Sequence, residues 1–334
     1  MVEHPASADD HPLLLVERAD PVPGAGEVRV RVTTCGVCRT DLHLAEGDLL
    51  PRHPRTVPGH EVVGIVDMAG PGTARFAVGD RIGIPWLRWT CGVCRFCVTG
   101  RENLCVAPRF TGWDADGGYA DLAVVAEDYA YRIAPAFSDL EAAPLLCAGI
   151  IGFRALRASG VTAGGRLGIY GFGGSAHLAA QVAMAEDMTV HVFTRSDEAR
   201  RLALSLGCAS AGGSYDPPPE PLDGSVLFAP VGDLVPVALA GLDRGGTLAI
   251  AGIYLSDIPG LNYEDHLFEE RKLRSVTANT RSDGEEFLEI AERIGVRVTA
   301  QPYRFADADR ALSDLKNDRV SGAAVLQIGV DHPH

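Results

Sequence analysis

Residues 91–105 read CGVCRFCVTGRENLC and crowd four cysteines into one loop. Cys91, Cys94, Cys97 and Cys105 are separated by two, two and seven residues, and Gly92 and Gly100 between them allow the tight backbone that a cage of sulfurs needs. Four thiolates suit tetrahedral zinc and close its coordination shell, so a zinc held here is structural and has no position for substrate. An iron–sulfur cluster or a redox C-x-x-C pair are the alternatives. Neither accounts for all four positions as well.

A second set of ligand-type residues stands upstream, in CGVCRTDLH (35–43) and PGHEVVG (58–64), and a further cysteine stands in PLLCAGI. Cys38, His60 and Cys147 offer two soft ligands and a borderline one, and three protein ligands with an open fourth position is the arrangement of a catalytic zinc. Taken singly, each is more simply an ordinary buried residue; their company changes the weighting. Asp41 can orient a ligating imidazole, and Thr40 and His43 offer a hydroxyl and an imidazole for proton transfer. Cys35 has no assigned role.

The third signal is RLGIYGFGGSAHLAAQVAMAEDMTVHVFTRS (166–196). An apolar strand runs into Gly171, Phe172, Gly173, Gly174, Ser175 and Ala176, and a helical pattern then puts Leu178, Val182 and Ala185 on one face. This is G-x-G-x-x-A between a strand and a helix. The first glycine permits the tight turn, the second lets backbone approach a pyrophosphate, and the small third residue lets helix and strand pack closely. The helix N-terminus then faces the anion. A dinucleotide cofactor is the expectation.

These residues need elements to hold them. With 334 residues and 46% hydrophobic content the chain can fill two domains. Up to about residue 147 it carries short strand-like runs broken by Pro and Gly, such as EVRVRVTT and VVGIVDMAGPG. Afterwards RLGIY, TVHVF, SVLFA and TLAIAGI alternate with helical stretches, the pattern of a parallel sheet covered on both faces. From Arg281 onward, with VRVTAQPYRF and ALSDLKNDRVSGAAVLQI, the chain would return to the first domain and complete it. Residues 212–224 are expected to form a Pro-rich surface loop. A net charge of −14 disfavours nucleic acid and anionic membrane and leaves small molecules as partners. No basic segment leads into an apolar run, and no apolar stretch is long enough to cross a bilayer, so a soluble, cytoplasmic protein is expected. In a reducing cytosol eight cysteines point to metal or catalysis rather than disulfides.

CGVCRTDLH, GHEVVG, the four-cysteine lobe and GFGGSA occur in an order and spacing that resemble the zinc-dependent alcohol dehydrogenases of the medium-chain dehydrogenase/reductase superfamily. The resemblance covers nearly the whole chain. It implies a GroES-like β-rich catalytic domain over 1–147 and 281–334, and a Rossmann-type doubly wound domain over 148–280. It implies two zinc ions: Cys38, His60 and Cys147 match the catalytic ligands, with Glu61 close behind the metal, and Cys91, Cys94, Cys97 and Cys105 match the structural lobe. Thr40 and His43 match the proton relay, and Arg39 a basic residue at the cofactor pyrophosphate. Gly252 and Ile253, closing TLAIAGI, join the glycine turn among the cofactor-binding residues. Relatives are dimers or tetramers, so a homo-oligomer is expected.

Departures refine the reading. NAD-preferring folds carry an acid at the end of the second strand; here Thr194, Arg195 and Ser196 stand there, which implies NAD(P) with a lean to NADP. Ala323 takes the place of a phosphate-binding arginine. Trp86 matches a pocket-lining tryptophan of the yeast-type enzymes, but Leu49 stands where those have a second indole, leaving space near the metal. The expected activity is hydride transfer between NAD(P)(H) and an alcohol/aldehyde pair, medium-chain or aromatic. A zinc-independent reductase of the same superfamily and a non-catalytic zinc or redox sensor are the rivals, separable by counting metal.

Overall fold

The alternation in EVRVRVTT becomes a strand, Glu27–Val37, in the computed structural model, which describes residues 1–329. Val28, Val30 and Val32 are buried while Arg29 is half-buried and Arg31 exposed, the two-residue period of a sheet with one face on a core. Burying each valine is worth roughly 1.5–3 kcal/mol. This strand is the hub of a seven-stranded sheet. It pairs antiparallel with Val62–Ala69, Leu122–Ala126 and Ala323–Gln327. Val62–Ala69 continues to Arg81–Ile84 and Tyr131–Arg132, and Ala300–Arg304 runs parallel to Ala323–Gln327 at the far edge. Of VRVTAQPYRF only the part from Ala300 is strand.

The sheet belongs to the first of two compact units, Met1–Cys147 with Ala278–Glu292 and Arg297–His334. Its core joins Val28, Val30, Ile82, Ile84 and Leu326. Cys35 is a fully buried member of that core, which gives it a packing role. The four-cysteine lobe is the loop of a two-stranded ribbon, Leu87–Trp89 against Arg109–Phe110.

The second unit, Ala148–Thr277 with Arg293–Val296, holds a six-stranded sheet. Its spatial order is Ser210–Gly212, Thr189–Phe193, Arg166–Tyr170, Leu222–Leu227, Leu242–Ile250 and Lys272–Ser275, and every pairing is parallel. In chain order this is 3-2-1-4-5-6, the doubly wound arrangement whose strand order reverses beside the first strand. Leu167 through Tyr170 are all buried, as expected of a strand covered on both faces. The helix Gly174–Ala185 buries Leu178 and Val182 as expected but leaves Ala185, its last residue, exposed. Among the described residues no helix is long and apolar enough to cross a membrane.

Candidate active site

Cys38 is the N-cap of the helix Arg39–Glu46, so its sulfur lies at the positive end of a helix, where a thiolate is stabilised. His60 and Glu61 precede the strand Val62–Ala69. Cys147 lies on a π-helical turn, Leu145–Gly149, that follows the helix Asp139–Pro144; Pro144 lacks the N–H an α-helix would use there. These pieces converge. One ligand atom each from Cys38, His60, Glu61 and Cys147 lies within 4.8 Å of the others, with the two sulfurs 3.9 Å apart and His60 Nε2 3.3 Å from Cys147 Sγ. A tetrahedral zinc with sulfur at about 2.3 Å sets sulfur pairs about 3.8 Å apart, so the Cys/His/Cys donor set fits that ion.

Asp41 organises the cluster. One of its oxygens accepts from Gly59 N at 3.0 Å and lies 3.1 Å from His60 Nδ1; the other accepts from Cys38 N at 2.9 Å. The imidazole is thereby turned with Nε2 toward Cys147. Burial alone would lower His60's pKa, but the Asp41 carboxylate, by charge and hydrogen bond, raises it well above the ordinary value. Burial pushes the Glu61 carboxyl well up, and the neighbouring Cys38 thiolate adds to the rise. The hydrogen bond from Cys147 holds Cys38 well below the usual thiol range. Glu61 needs a glycine beneath it, for a Cβ at Gly36 would stand 1.8 Å from Glu61 Oε2.

Thr40, buried in the first turn of the same helix, has its hydroxyl 3.9 Å from Cys38 Sγ. His43 is three residues on, hence on the same helix face, with its side chain 20% exposed and Nδ1 2.9 Å from Asp48 Oδ2. Arg39 donates to Asp318 at 2.8 Å, and both side chains are exposed. Ala323 opens the last strand opposite Ala300.

In the lobe, Cys91, Cys94, Cys97 and Cys105 form a second group within the same distance limit, with sulfur separations of 4.0 Å for Cys91–Cys97 and 3.5 Å for Cys94–Cys97. Backbone N–H groups of Cys94, Cys91 and Ala107 donate to sulfurs of Cys91 and Cys105. Backbone donors also pull Cys94 down to about 6, whereas burial raises Cys97 to about 11. Among the described residues no cysteine is in a disulfide.

The second unit gathers the dinucleotide candidates at the C-terminal ends of its strands, where ligands of such sheets bind. Gly171 turns at φ 84° and its Cβ position is 2.8 Å from Ala229 N, so only glycine fits beside the strand-order reversal. A Cβ at Gly173 would meet nothing within 4 Å, and no side chain caps the helix Gly174–Ala185. That open face and those uncapped N–H groups fit a pyrophosphate; Ser175 lies in the first turn. Thr194 is buried, its N–H donating to Gly212 and its carbonyl accepting from Arg200. Ser196 caps the helix Asp197–Leu206 through Ala199 N, and Arg195 is exposed. Gly252 and Ile253 follow the strand ending at Ile250, with Ile253 exposed.

Of the residues expected to line a substrate pocket, Trp86 stands edge-on to His60 with ring centroids 4.9 Å apart, and Leu49 donates its N–H to His43 O at 3.0 Å. Sequence reasoning missed Phe110 and Trp113, which stack beside Trp86. Their only signal was two aromatics in FTGW just beyond the lobe.

Residues 24–135 match the alcohol dehydrogenase GroES-like domain. The chain is 54% identical over 332 residues to a probable alcohol dehydrogenase, AdhA, of Mycobacterium tuberculosis, covering 98% of this chain and 96% of that one. Among solved structures it is similar to a cinnamyl alcohol dehydrogenase of Sorghum bicolor, with TM-score 0.89, 27% identity and coverage of 99% and 98%. It is also similar to the CAD of Helicobacter pylori complexed with NADP(H), with TM-score 0.84, 26% identity and 92% of both chains. With more than half its residues shared across 96% of such a relative, and with a GroES-like unit and a six-stranded doubly wound sheet in one chain, the chain belongs to the zinc-type medium-chain alcohol dehydrogenases.

Proposed function

We propose that this enzyme interconverts an alcohol and its aldehyde with two zinc ions per chain and NADP in preference to NAD. The observation that carries the reading is the convergence of Cys38, His60 and Cys147 with Glu61 behind them. The first unit is assigned the catalytic role and the second the coenzyme. When bound, zinc supplies Lewis acidity and the nicotinamide a two-electron acceptor. The chain's own residues manage the proton. Thr40 Oγ1 accepts it beside the metal ligands, and the partly exposed His43 ring, steadied at Nδ1 by Asp48, returns it to water. The lobe zinc is structural, its four thiolates leaving no open position. The half-buried Leu49 and the Trp86 ring favour medium-chain or aromatic substrates over ethanol. The absence of a carboxylate among Thr194, Arg195 and Ser196 supports the NADP lean, since an acid there repels a 2′-phosphate; the Helicobacter relative is bound to NADP(H). A cytoplasmic homo-oligomer completes the reading.

The test is a substrate panel read by nicotinamide absorbance with both coenzymes, alongside zinc analysis of wild type and His60→Ala. Expected are two zinc ions in the wild type, one in the variant, and no turnover by the variant. Wild-type turnover in a His60→Ala protein lacking the catalytic zinc would instead favour the zinc-independent reading.

A further inference from the structure

Trp113 lies outside every motif that carries chemistry, yet it links the Trp86 ring beside His60 to the segment that carries Leu49 and Leu50. The ribbon pairing sets Leu87 opposite Phe110, and Thr111 N donates to Trp86 O at 2.8 Å. The next residues close a turn on themselves: Asp114 N donates to Phe110 O, Gly112 N to Ala115 O, and Phe110 N to Asp114 Oδ2. That turn presents Trp113 to Trp86 with ring planes 10° apart and centroids 6.0 Å apart, and to Phe110 at 23° and 5.8 Å. Phe110 stacks on Trp86 at 4.8 Å. A continuous aromatic wall therefore begins at His60 and ends at Trp113.

The outer end of the wall grips the segment that carries Leu49. Trp113 Nε1 donates to Leu50 O at 2.8 Å. The Arg52 guanidinium lies 3.8 Å from the Trp113 ring centroid and is held by Asp114 at 2.8 Å. From the other side, Leu49 N donates to His43 O. The segment is pinned between the helix that bears Thr40 and His43 and the Trp113 ring.

We propose that Trp113 is the positioning residue that sets specificity, holding Leu49 and Leu50 at a fixed separation from the Trp86–Phe110 face so that the site takes planar aryl alcohols and aldehydes over short aliphatic ones. Flat apolar rings match an aromatic wall in offset or edge geometry, and a rim that does not drift keeps the substrate carbon oriented. This rests on the alcohol-binding reading of the site.

The test uses the zinc-loaded enzyme and two variants, Trp113→Leu and Trp113→Phe. In Trp113→Leu, kcat/KM for benzyl and cinnamyl alcohols should fall about tenfold, carried by KM rather than kcat, while the value for 1-butanol changes less than about twofold. Trp113→Phe keeps a ring against Arg52 but loses the hydrogen bond to Leu50 O, so its aryl preference should fall in the same direction and by less than in Trp113→Leu. Both lose the indole N–H, so limited trypsin cleavage after Arg52 should quicken in both while zinc content stays at the wild-type level. An unchanged aryl-to-butyl ratio in an active Trp113→Leu enzyme, or wild-type resistance to trypsin in both variants, overturns the role of Trp113. Wild-type enzyme that turns over no alcohol overturns the functional reading, and the specificity claim falls with it.

Discussion

Asp41 ties three parts of the chain to one carboxylate: the N-cap residue Cys38, the backbone of Gly59 and the imidazole of His60. Outer partners of this kind govern how tightly ligands hold a metal, and their removal costs about 10–100-fold in affinity. On the two-zinc proposal, Asp41→Asn should therefore lose the zinc at Cys38, His60 and Cys147 to a chelator at concentrations that leave the lobe zinc in place, as zinc analysis after dialysis would reveal. Equal retention of both zinc ions would contradict the role given to Asp41. Gly36 is a second residue whose identity the site dictates. Gly36→Ala would drive a methyl into the buried Glu61 carboxyl group, and overpacking of that kind costs about 1–3 kcal/mol. Urea denaturation should show a midpoint well below wild type; an unshifted midpoint would mean that Glu61 has room to move.

At the scale of elements, the lobe is anchored by more than its ribbon. Glu102, nearly buried within it, accepts from Arg281 N at 2.7 Å and from the Arg281 guanidinium at 2.7 Å, so a carboxylate caps the helix Arg281–Ile294, where it also suits the helix dipole. Burial alone would raise Glu102's pKa, but these bonds outweigh it and hold the carboxyl below its ordinary value of 4.5. A depressed folded-state pKa contributes stability at pH above the ordinary value and loses it as pH falls through the folded one. Glu102→Gln should thus destabilise by about 2 kcal/mol at neutral pH, with the gap to wild type closing as the solution is acidified below the ordinary carboxylate range. A pH-independent gap would assign the effect to packing. Cys94→Ser should remove one zinc ion and lower the melting temperature, because a closed thiolate site contributes folding free energy directly. Two zinc ions in that variant would refute the lobe assignment.

On the scale of the whole molecule, each unit has a core of its own. Tyr170, Phe193, Leu227, Leu239 and Leu248 cluster in the second, and the valine-rich cluster around Glu27–Val37 fills the first. Coenzyme binding should therefore outlast damage to the metal site. Cys38→Ser is expected to abolish turnover while the dissociation constant for NADPH, followed by fluorescence, changes by less than about threefold. A parallel loss of coenzyme binding would mean that the two units are energetically inseparable. Within the second unit, Arg195→Ala should raise KM for NADPH about tenfold, or about 1.4 kcal/mol, and barely alter KM for NADH. A wild-type preference for NADH that the substitution leaves untouched would overturn the NADP assignment.

Elements and candidate ligands are the part of this protein that is legible along the chain. Local physics suffices for that: strand and helix periods follow from side-chain geometry, and the glycine turn is dictated by a backbone angle that only glycine tolerates at Gly171. The cysteine lobe is legible because its ligands lie close along the chain. Contacts between residues far apart along the chain are not legible in the same way. The motifs group Cys147 with Cys38 and His60, but the π-helical turn that brings its sulfur to 3.9 Å from Cys38 Sγ is announced by no periodicity. Cys35, left without a role by its type, became core. Glu102 found Arg281, and the indole of Trp113 found Leu50 O. A hydrogen bond or a ring stack depends on where folding brings two groups, and two residues separated by such distances carry no mark of each other in the chain.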